Sequence, residues 1–119
     1  MTDHGRETRD HATLRSSRDA GGSRHLEATR SADGGIRIEG QDIGPGVSAA
    51  FGPDVREYEW AWTVEPADVA AAVAVLGGGP GEDVVRLLLG WSTANHGADP
   101  GQRLKEAGVR IGFWSRVGD

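Results

Sequence analysis

The sequence predicts an α+β fold in which an antiparallel β-meander and a C-terminal strand form a sheet, with two or three helices covering one face. Segments of alternating polarity come first, segments with helical spacing of apolar residues follow, and another alternating segment closes the chain. Strands followed by helices are typical of layered α+β domains. We therefore predict the order β-β-β-α-α-α-β within a single α+β domain, residues 23–119.

Composition limits the classes of function. The chain of 119 residues contains no cysteine, which excludes disulfides, thiolate metal sites and cysteine nucleophiles. No apolar run approaches the ~20 residues that span a bilayer, and the polar N-terminus is unlike a signal peptide, so we expect a cytoplasmic protein with no membrane partner. The net charge of −5 argues against binding of nucleic acid and favours a basic protein partner.

The first 22 residues contain only Met1 and Leu14 as sizeable apolar side chains. A segment that buries so little apolar surface cannot offset the conformational entropy that it loses on ordering. Residues 1–22 are therefore predicted to be a disordered tail.

Two alternating runs within residues 24–43 flank Asp33–Gly35, a stretch whose residues tolerate the positive φ of a tight turn. They predict a β-hairpin. Its core-facing side chains are expected to be Leu26, Ala28, Ile36 and Ile38. The glycine-rich segment 44–54 that follows predicts a loop.

The next strand is predicted from Glu57–Val64, which reads EYEWAWTV and places Tyr58, Trp60 and Trp62 on one face. These rings are interpreted either as a core stripe or as a platform for a ligand. We favour the core, because a small domain needs large buried side chains and buried indoles usually find a polar partner.

Three helices are predicted after this strand. Pro66 near the first turn and apolar residues at helical spacing predict a helix over residues 66–76, which Gly77–Gly79 end. A second helix is expected from about Pro80 to Trp91, and a short third one over Pro100–Ala107. Residues 109–116 then predict a strand with Phe113 facing the helices and Trp114 on the opposite face.

Two glycine-rich motifs are weighed against cofactor binding. Residues 44–49, GPGVSA, match the G-x-G-x-x-A pattern of dinucleotide-binding turns, but the preceding strand belongs to a hairpin rather than to a buried parallel sheet. Residues 77–83, GGGPGED, lack the Gly-Lys-Ser/Thr of a phosphate-binding loop. We therefore predict no cofactor.

Catalytic and metal-binding groups are sparse. Ser92 and His96 are four residues apart, and Asp99 is a candidate to orient the histidine, but no oxyanion-hole signature accompanies them. The acidic residues considered as ligands of Mg²⁺ or Ca²⁺ are Asp42, Asp54, Glu57 and Glu59. Their spacing fits no metal-binding loop. We predict no catalytic residue, no metal site and no enzymatic activity.

The face of the sheet opposite the helices is the most informative feature for function. It is predicted to carry carboxylates and arginines around an exposed indole, an arrangement common in protein interfaces. The residues predicted to bind a partner are Glu39, Glu57, Glu59, Trp114 and Arg116, with Glu27, Arg37 and Gln41 beside them. The alternative is that an antiparallel sheet simply has one solvated face.

Four segments are similar to a group of small actinobacterial proteins of uncharacterised function. They read LEATRSADGGIRIEGQDIG, EYEWAWTV, VAVLGGGPGEDVVRLL and FWSRVGD. The resemblance covers about residues 26–119. It implies no activity, ligand or site residue.

Three functional hypotheses follow. The first is a non-catalytic acidic interaction module, with an immunity-protein or antitoxin-like inhibitor as its most specific form. The second is a small enzyme or ligand-binding protein with a pocket near His96 and Asp42. The third is an accessory domain that forms a homodimer by edge-strand pairing through Ile111–Arg116.

Overall fold

The computed structural model describes residues 10–118 and has the predicted α+β architecture. Five strands and four helices occur in these residues. In chain order they are β1 (His11–Asp19), β2 (Gly22–Arg30), β3 (Ile36–Ile43), α1 (Pro45–Phe51), β4 (Glu57–Val64), α2 (Val69–Val75, preceded by a 3-10 turn at Pro66–Asp68), α3 (Val84–Ala94), α4 (Pro100–Glu106) and β5 (Gly112–Gly118).

The strands form one antiparallel sheet whose spatial order is the chain order, β1-β2-β3-β4-β5. The β2–β3 hairpin and the pairing of the last strand with β4 confirm the predicted antiparallel meander with a C-terminal strand in the same sheet. Asp33 supports the hairpin turn by accepting a hydrogen bond from the backbone N–H of Gly35 at 2.9 Å. In the described part of the chain, no helix is long and apolar enough to cross a membrane.

The prediction of a disordered tail is wrong for residues 11–22, which contain β1 and the start of β2. Ala12 and Leu14 alternate onto the core face and are 1% and 7% exposed. Two buried apolar side chains are enough to order this segment, because the backbone of β1 also forms hydrogen bonds along the whole of β2. Residues 1–9, which the prediction also covers, lie outside the described residues.

The predicted loop 44–54 contains a helix, α1, which is a second correction. Gly44 adopts a φ of 123° at its start, and Pro45 occupies the first turn, where its missing N–H costs no hydrogen bond. Gly52 adopts a φ of 122° at its end. Because the strands on either side of α1 are antiparallel, the motif at residues 44–49 does not form the parallel βαβ unit that binds dinucleotides.

The core lies between the helices and one face of the sheet, which we name the inner face. Trp60 and Trp62 are 8% and 4% exposed there, so the core interpretation of the aromatic strand is confirmed. Both indole N–H groups donate to the same oxygen, Oδ2 of Asp99, at 2.8 Å. The apolar residues that pack with these rings include Leu26, Ile36, Ile38, Val64, Val84, Val85, Leu88 and Leu104.

Candidate functional site

The opposite side of the sheet, which we name the open face, is free of the four described helices. Strand alternation places every second residue on it, and the register aligns Glu39 with Ala61 and Ala61 with Trp114. Trp114 is 51% exposed, as predicted for an indole on this face.

A shallow depression of about 310 Å³ lies at the centre of the open face. Ala61, which lies between Glu39 and Trp114, contributes only a methyl group, so the surface dips between longer neighbours. The residues that line it are His25, Glu27, Arg37, Glu39, Gly40, Gln41, Glu59, Trp60, Ala61 and Trp114. Three of the five residues predicted to bind a partner, Glu39, Glu59 and Trp114, thus share one concave surface.

Glu59 is the centre of a polar network next to Trp114. Its Oε1 accepts hydrogen bonds from Nη2 and Nε of Arg116 at 2.8 and 3.2 Å. Gln41 bridges the network to Glu57 by donating to Glu57 Oε2 at 2.7 Å and to Glu59 Oε2 at 3.2 Å. The hydrogen bond from Arg116 is the main reason that the pKa of Glu59 lies below its usual value, and it raises the pKa of Arg116.

The other open-face carboxylates are also paired. Arg37 Nε lies 2.9 Å from Glu39 Oε2, and His11 Nε2 lies 2.8 Å from Glu27 Oε1. His25 approaches the same oxygen of Glu27 at 3.5 Å. The hydrogen bond with His11 is the main cause that lowers the pKa of Glu27. The sequence placed Arg37 on this face beside the carboxylates but did not place His11 there. The alternation of His11 and Thr13 with Ala12 and Leu14 was the signal that could have done so.

The outer strand β5 is the most exposed part of the sheet. Every residue from Gly112 to Val117 is exposed. Phe113 and Val117 are 50% and 47% exposed, although Phe113 contacts Trp62 on the inner face with ring centroids 4.4 Å apart. An apolar strand that is uncovered on both faces is unusual for an isolated small domain.

Ser92, His96 and Asp99 do not act together as a nucleophile, a base and its orienting acid. Ser92 is fully buried, and its hydroxyl donates to the carbonyl of Ala98 at 2.8 Å. One oxygen of Asp99 accepts from the two indoles, and the other caps α4 by accepting from the N–H of Gly101 at 2.8 Å. Asp99 in front of Pro100 is a recognisable helix start, but its contact with the tryptophans has no local sequence signal.

Asp42 marks a second depression, of about 200 Å³, between β3 and α1. Burial raises the pKa of Asp42, and the charges of Arg15 and Arg24 oppose this effect. Within residues 10–118, Asp42 Oδ1 and Arg15 Nε are buried without a hydrogen-bond partner. Arg15 Nη1 also donates to the carbonyl of Gly97 at 3.2 Å, which brings the loop containing exposed His96 to the same arginine.

The candidate metal ligands do not converge. Asp42 pairs with Tyr58 on the inner face, whereas Glu57 and Glu59 point to the open face. No group of three or more His, Asp or Glu residues suited to a metal ion occurs in the part of the chain that the structure describes.

Comparisons of this chain with protein families, curated proteins and solved structures found no match. The similarity to small actinobacterial proteins therefore stays a prediction.

Proposed function

We propose that this protein is a non-catalytic interaction module that binds a basic protein partner through the open face. Its most specific form is an immunity-protein or antitoxin-like inhibitor that acts in the cytoplasm. The observation that supports the proposal is the half-exposed indole of Trp114 beside a depression edged by Glu39 and Glu59.

Leaving this indole uncovered has an energetic cost. A tryptophan buries roughly 150–250 Å² when it is fully covered, so the exposed half forfeits about 2–3 kcal/mol at about 25 cal/mol per Å². A partner that covers Trp114 recovers this free energy. Large aromatic side chains of this kind dominate the binding energy of many protein interfaces.

The charge around the ring determines the kind of partner. Glu27, Glu39, Glu57 and Glu59 provide four carboxylates on this face, whereas Arg37 and Arg116 provide two guanidinium groups. The remaining negative charge attracts an arginine or lysine of the partner, whose cation can stack on Trp114 while it contacts Glu39. The internal ion pairs hold the carboxylates in place before binding, which lowers the entropic cost of association.

A titration with defined peptides tests the recognition chemistry. We expect an arginine-rich peptide to shift the backbone amide NMR signals of Trp114, Glu39 and Glu59 and the indole signal of Trp114. The affinity of this peptide for the protein should fall as the salt concentration rises. A glutamate-rich peptide of equal length is the control and should leave these signals unchanged. Equal effects of the two peptides, or shifts confined to the helices, would contradict the proposal.

Affinity capture from the native host tests the biological partner. We expect the wild-type chain to retain a basic protein that Trp114→Ala does not retain. Phe51→Ala is the matched control, because Phe51 is also half exposed but stacks on Tyr58 on the inner side of the sheet. Retention of the same proteins by Trp114→Ala and the wild type would count against the open face as the binding surface.

The second candidate function is a small enzyme or ligand-binding protein that uses the depression at Asp42. The unpartnered Asp42 Oδ1 and Arg15 Nε favour it, because buried polar groups without partners often contact a ligand. A fragment screen by ligand-observed NMR tests it. Binding that disappears in Asp42→Asn but persists in Trp114→Ala would support this candidate over the interaction module.

A further inference from the structure

We propose that the outer edge of β5 pairs with β5 of a second copy of this chain, antiparallel and centred on Ser115, to form one continuous ten-stranded sheet. This inference goes beyond the proposed function and does not depend on it. The third hypothesis from the sequence contained the edge-strand pairing, and the structure supplies the register.

The two edges of the sheet differ in how they are protected. At the β1 edge the register shifts between Thr13 and Arg15, and Arg18 and Asp19 add charge. Bulges and charges of this kind prevent edge strands from pairing with other chains. The apolar residues of β1, Ala12 and Leu14, are also buried.

The β5 edge has no bulge and a single charged residue. Its pairing with β4 is regular from Glu57 opposite Gly118 to Thr63 opposite Gly112. The strand contains no proline, and the guanidinium of its one charged residue, Arg116, is held by Glu59. In the described chain β4 is the only strand that borders β5, so the outer backbone N–H and C=O groups of β5 are available for another strand.

The sequence of β5, GFWSRVG, is complementary to itself about Ser115. In an antiparallel pair centred on this residue, Phe113 lies opposite Val117 of the second copy on the inner face. Trp114 lies opposite Arg116 of the second copy on the open face, and Gly112 opposite Gly118. Phe113 and Val117 then bury each other across the two copies, and the indole of Trp114 contacts the guanidinium of Arg116 from the second copy.

Other registers lose this complementarity. Centring the pair on Arg116 places two like charges opposite each other, and centring it on Trp114 separates Phe113 from Val117. In the register centred on Ser115, inner-face residues of one copy lie opposite inner-face residues of the other. The helices of both copies therefore lie on the same side of the joined sheet.

The open-face network prepares the contact between Trp114 and Arg116. Arg116 uses Nε and Nη2 to bind Glu59, which fixes the guanidinium plane and leaves its flat surface available. A guanidinium held in this way can stack on the Trp114 ring of the second copy without losing its ion pair. The dimer therefore brings two tryptophans to the centre of a doubled open face.

Sedimentation velocity over a concentration series tests the proposal with the full chain. We expect reversible dimerisation of the wild type and a monomer for Ser115→Lys, because this substitution places two ammonium groups opposite each other at the symmetry axis. Ser17→Lys introduces the same charge at an exposed site on β1, the opposite edge, and should still dimerise. Circular dichroism establishes that both variants are folded.

Crosslinking provides a second measurement that keeps the wild-type edge chemistry. Because the chain has no cysteine, Ser115→Cys introduces a single thiol that lies opposite itself in the dimer. We expect rapid linkage of Ser115→Cys by oxidation or by a short bismaleimide, and slow linkage of Ser17→Cys. The proposal would be overturned if the wild type stayed monomeric at every concentration. Equal behaviour of the two lysine variants, or equal crosslinking of the two cysteine variants, would also overturn it. A monomer would leave the β5 edge to a strand from a different protein.

Discussion

Trp60 and Asp99 are 39 residues apart in the chain, and their side chains are joined by a hydrogen bond of 2.8 Å from the indole Nε1 to Oδ2. Trp62 donates to the same oxygen, so one carboxylate connects β4 to the start of α4. Hydrogen bonds to charged groups contribute about 1.5–3 kcal/mol each, and an N-cap about 1 kcal/mol.

Asp99→Ala should therefore lower the free energy of unfolding by about 3 kcal/mol or more. It leaves two buried indole N–H groups without their acceptor and removes the cap of α4. Asp99→Asn should lower the free energy of unfolding by less, because its one carbonyl oxygen can still accept either from the two indoles or from the N–H of Gly101. Urea unfolding measures both values. A loss below about 1 kcal/mol for Asp99→Ala would show that the indoles do not depend on this carboxylate.

Two helical glycines should respond in opposite ways to alanine. At Gly101 an added methyl group overlaps the indole of Trp62, so Gly101→Ala should lower the free energy of unfolding by about 1–3 kcal/mol. At Gly90 the added group meets nothing within 4 Å beyond its chain neighbours and the backbone of α3, and Gly90→Ala should raise the free energy of unfolding by about 0.5–1 kcal/mol. Thermal unfolding compares the two variants. A stabilising Gly101→Ala would contradict the packing of Trp62 against α4.

The Glu27 cluster should make stability depend on pH. The lowered pKa of Glu27 means that its contribution to stability is present above the ordinary value of 4.5 and is lost as pH falls through the lower folded value. Glu27→Gln should therefore be less stable than the wild type at neutral pH, by about 1 kcal/mol or less because the site is largely solvated. This difference should disappear in acid.

Urea unfolding of both proteins across a pH series measures the effect. Glu65→Gln removes the same charge from an exposed position next to the turn at Pro66–Asp68 and serves as the control. A stability difference between the wild type and Glu27→Gln that persists unchanged below pH 4.5 would show that the carboxylate charge is not its cause.

His96 is the one non-glycine residue with positive φ, 61°, in the part of the chain that the structure describes. This left-handed conformation follows the end of α3 and is unfavourable for a residue with a Cβ atom. His96→Gly should raise the free energy of unfolding by about 0.5–1 kcal/mol, whereas His96→Ala should not raise it. Thermal unfolding distinguishes them, and equal stabilities would indicate that the loop relaxes away from this conformation.

Local patterns in the sequence were enough to predict most elements of the fold. Alternation identified β2, β3 and β4, and helical spacing with proline and acidic starts identified α2, α3 and α4. The strand β1 was missed because its two core side chains, Ala12 and Leu14, bury little apolar surface of their own and it depends on backbone pairing with β2. The helix α1 was missed because glycines flank it at both ends.

The site was predictable only where a single strand determines it. Alternation was enough to place Trp114, Glu39 and Glu59 on the open face, because a strand directs successive side chains to opposite sides. The ion pairs between Glu59 and Arg116, 57 residues apart, and between His11 and Glu27 depend on strand register. Register across separate strands follows from the tertiary packing, which no local pattern contains.

The spatial order of the strands also has a consequence for folding kinetics. From β1 to β4 each strand pairs with the next one in the chain, so these contacts close short loops at low entropic cost. The pairing of β4 with β5 instead closes a loop that contains α2, α3 and α4. Docking of the last strand is therefore the step with the largest loop-closure entropy, and a folding nucleus is expected in the first four strands.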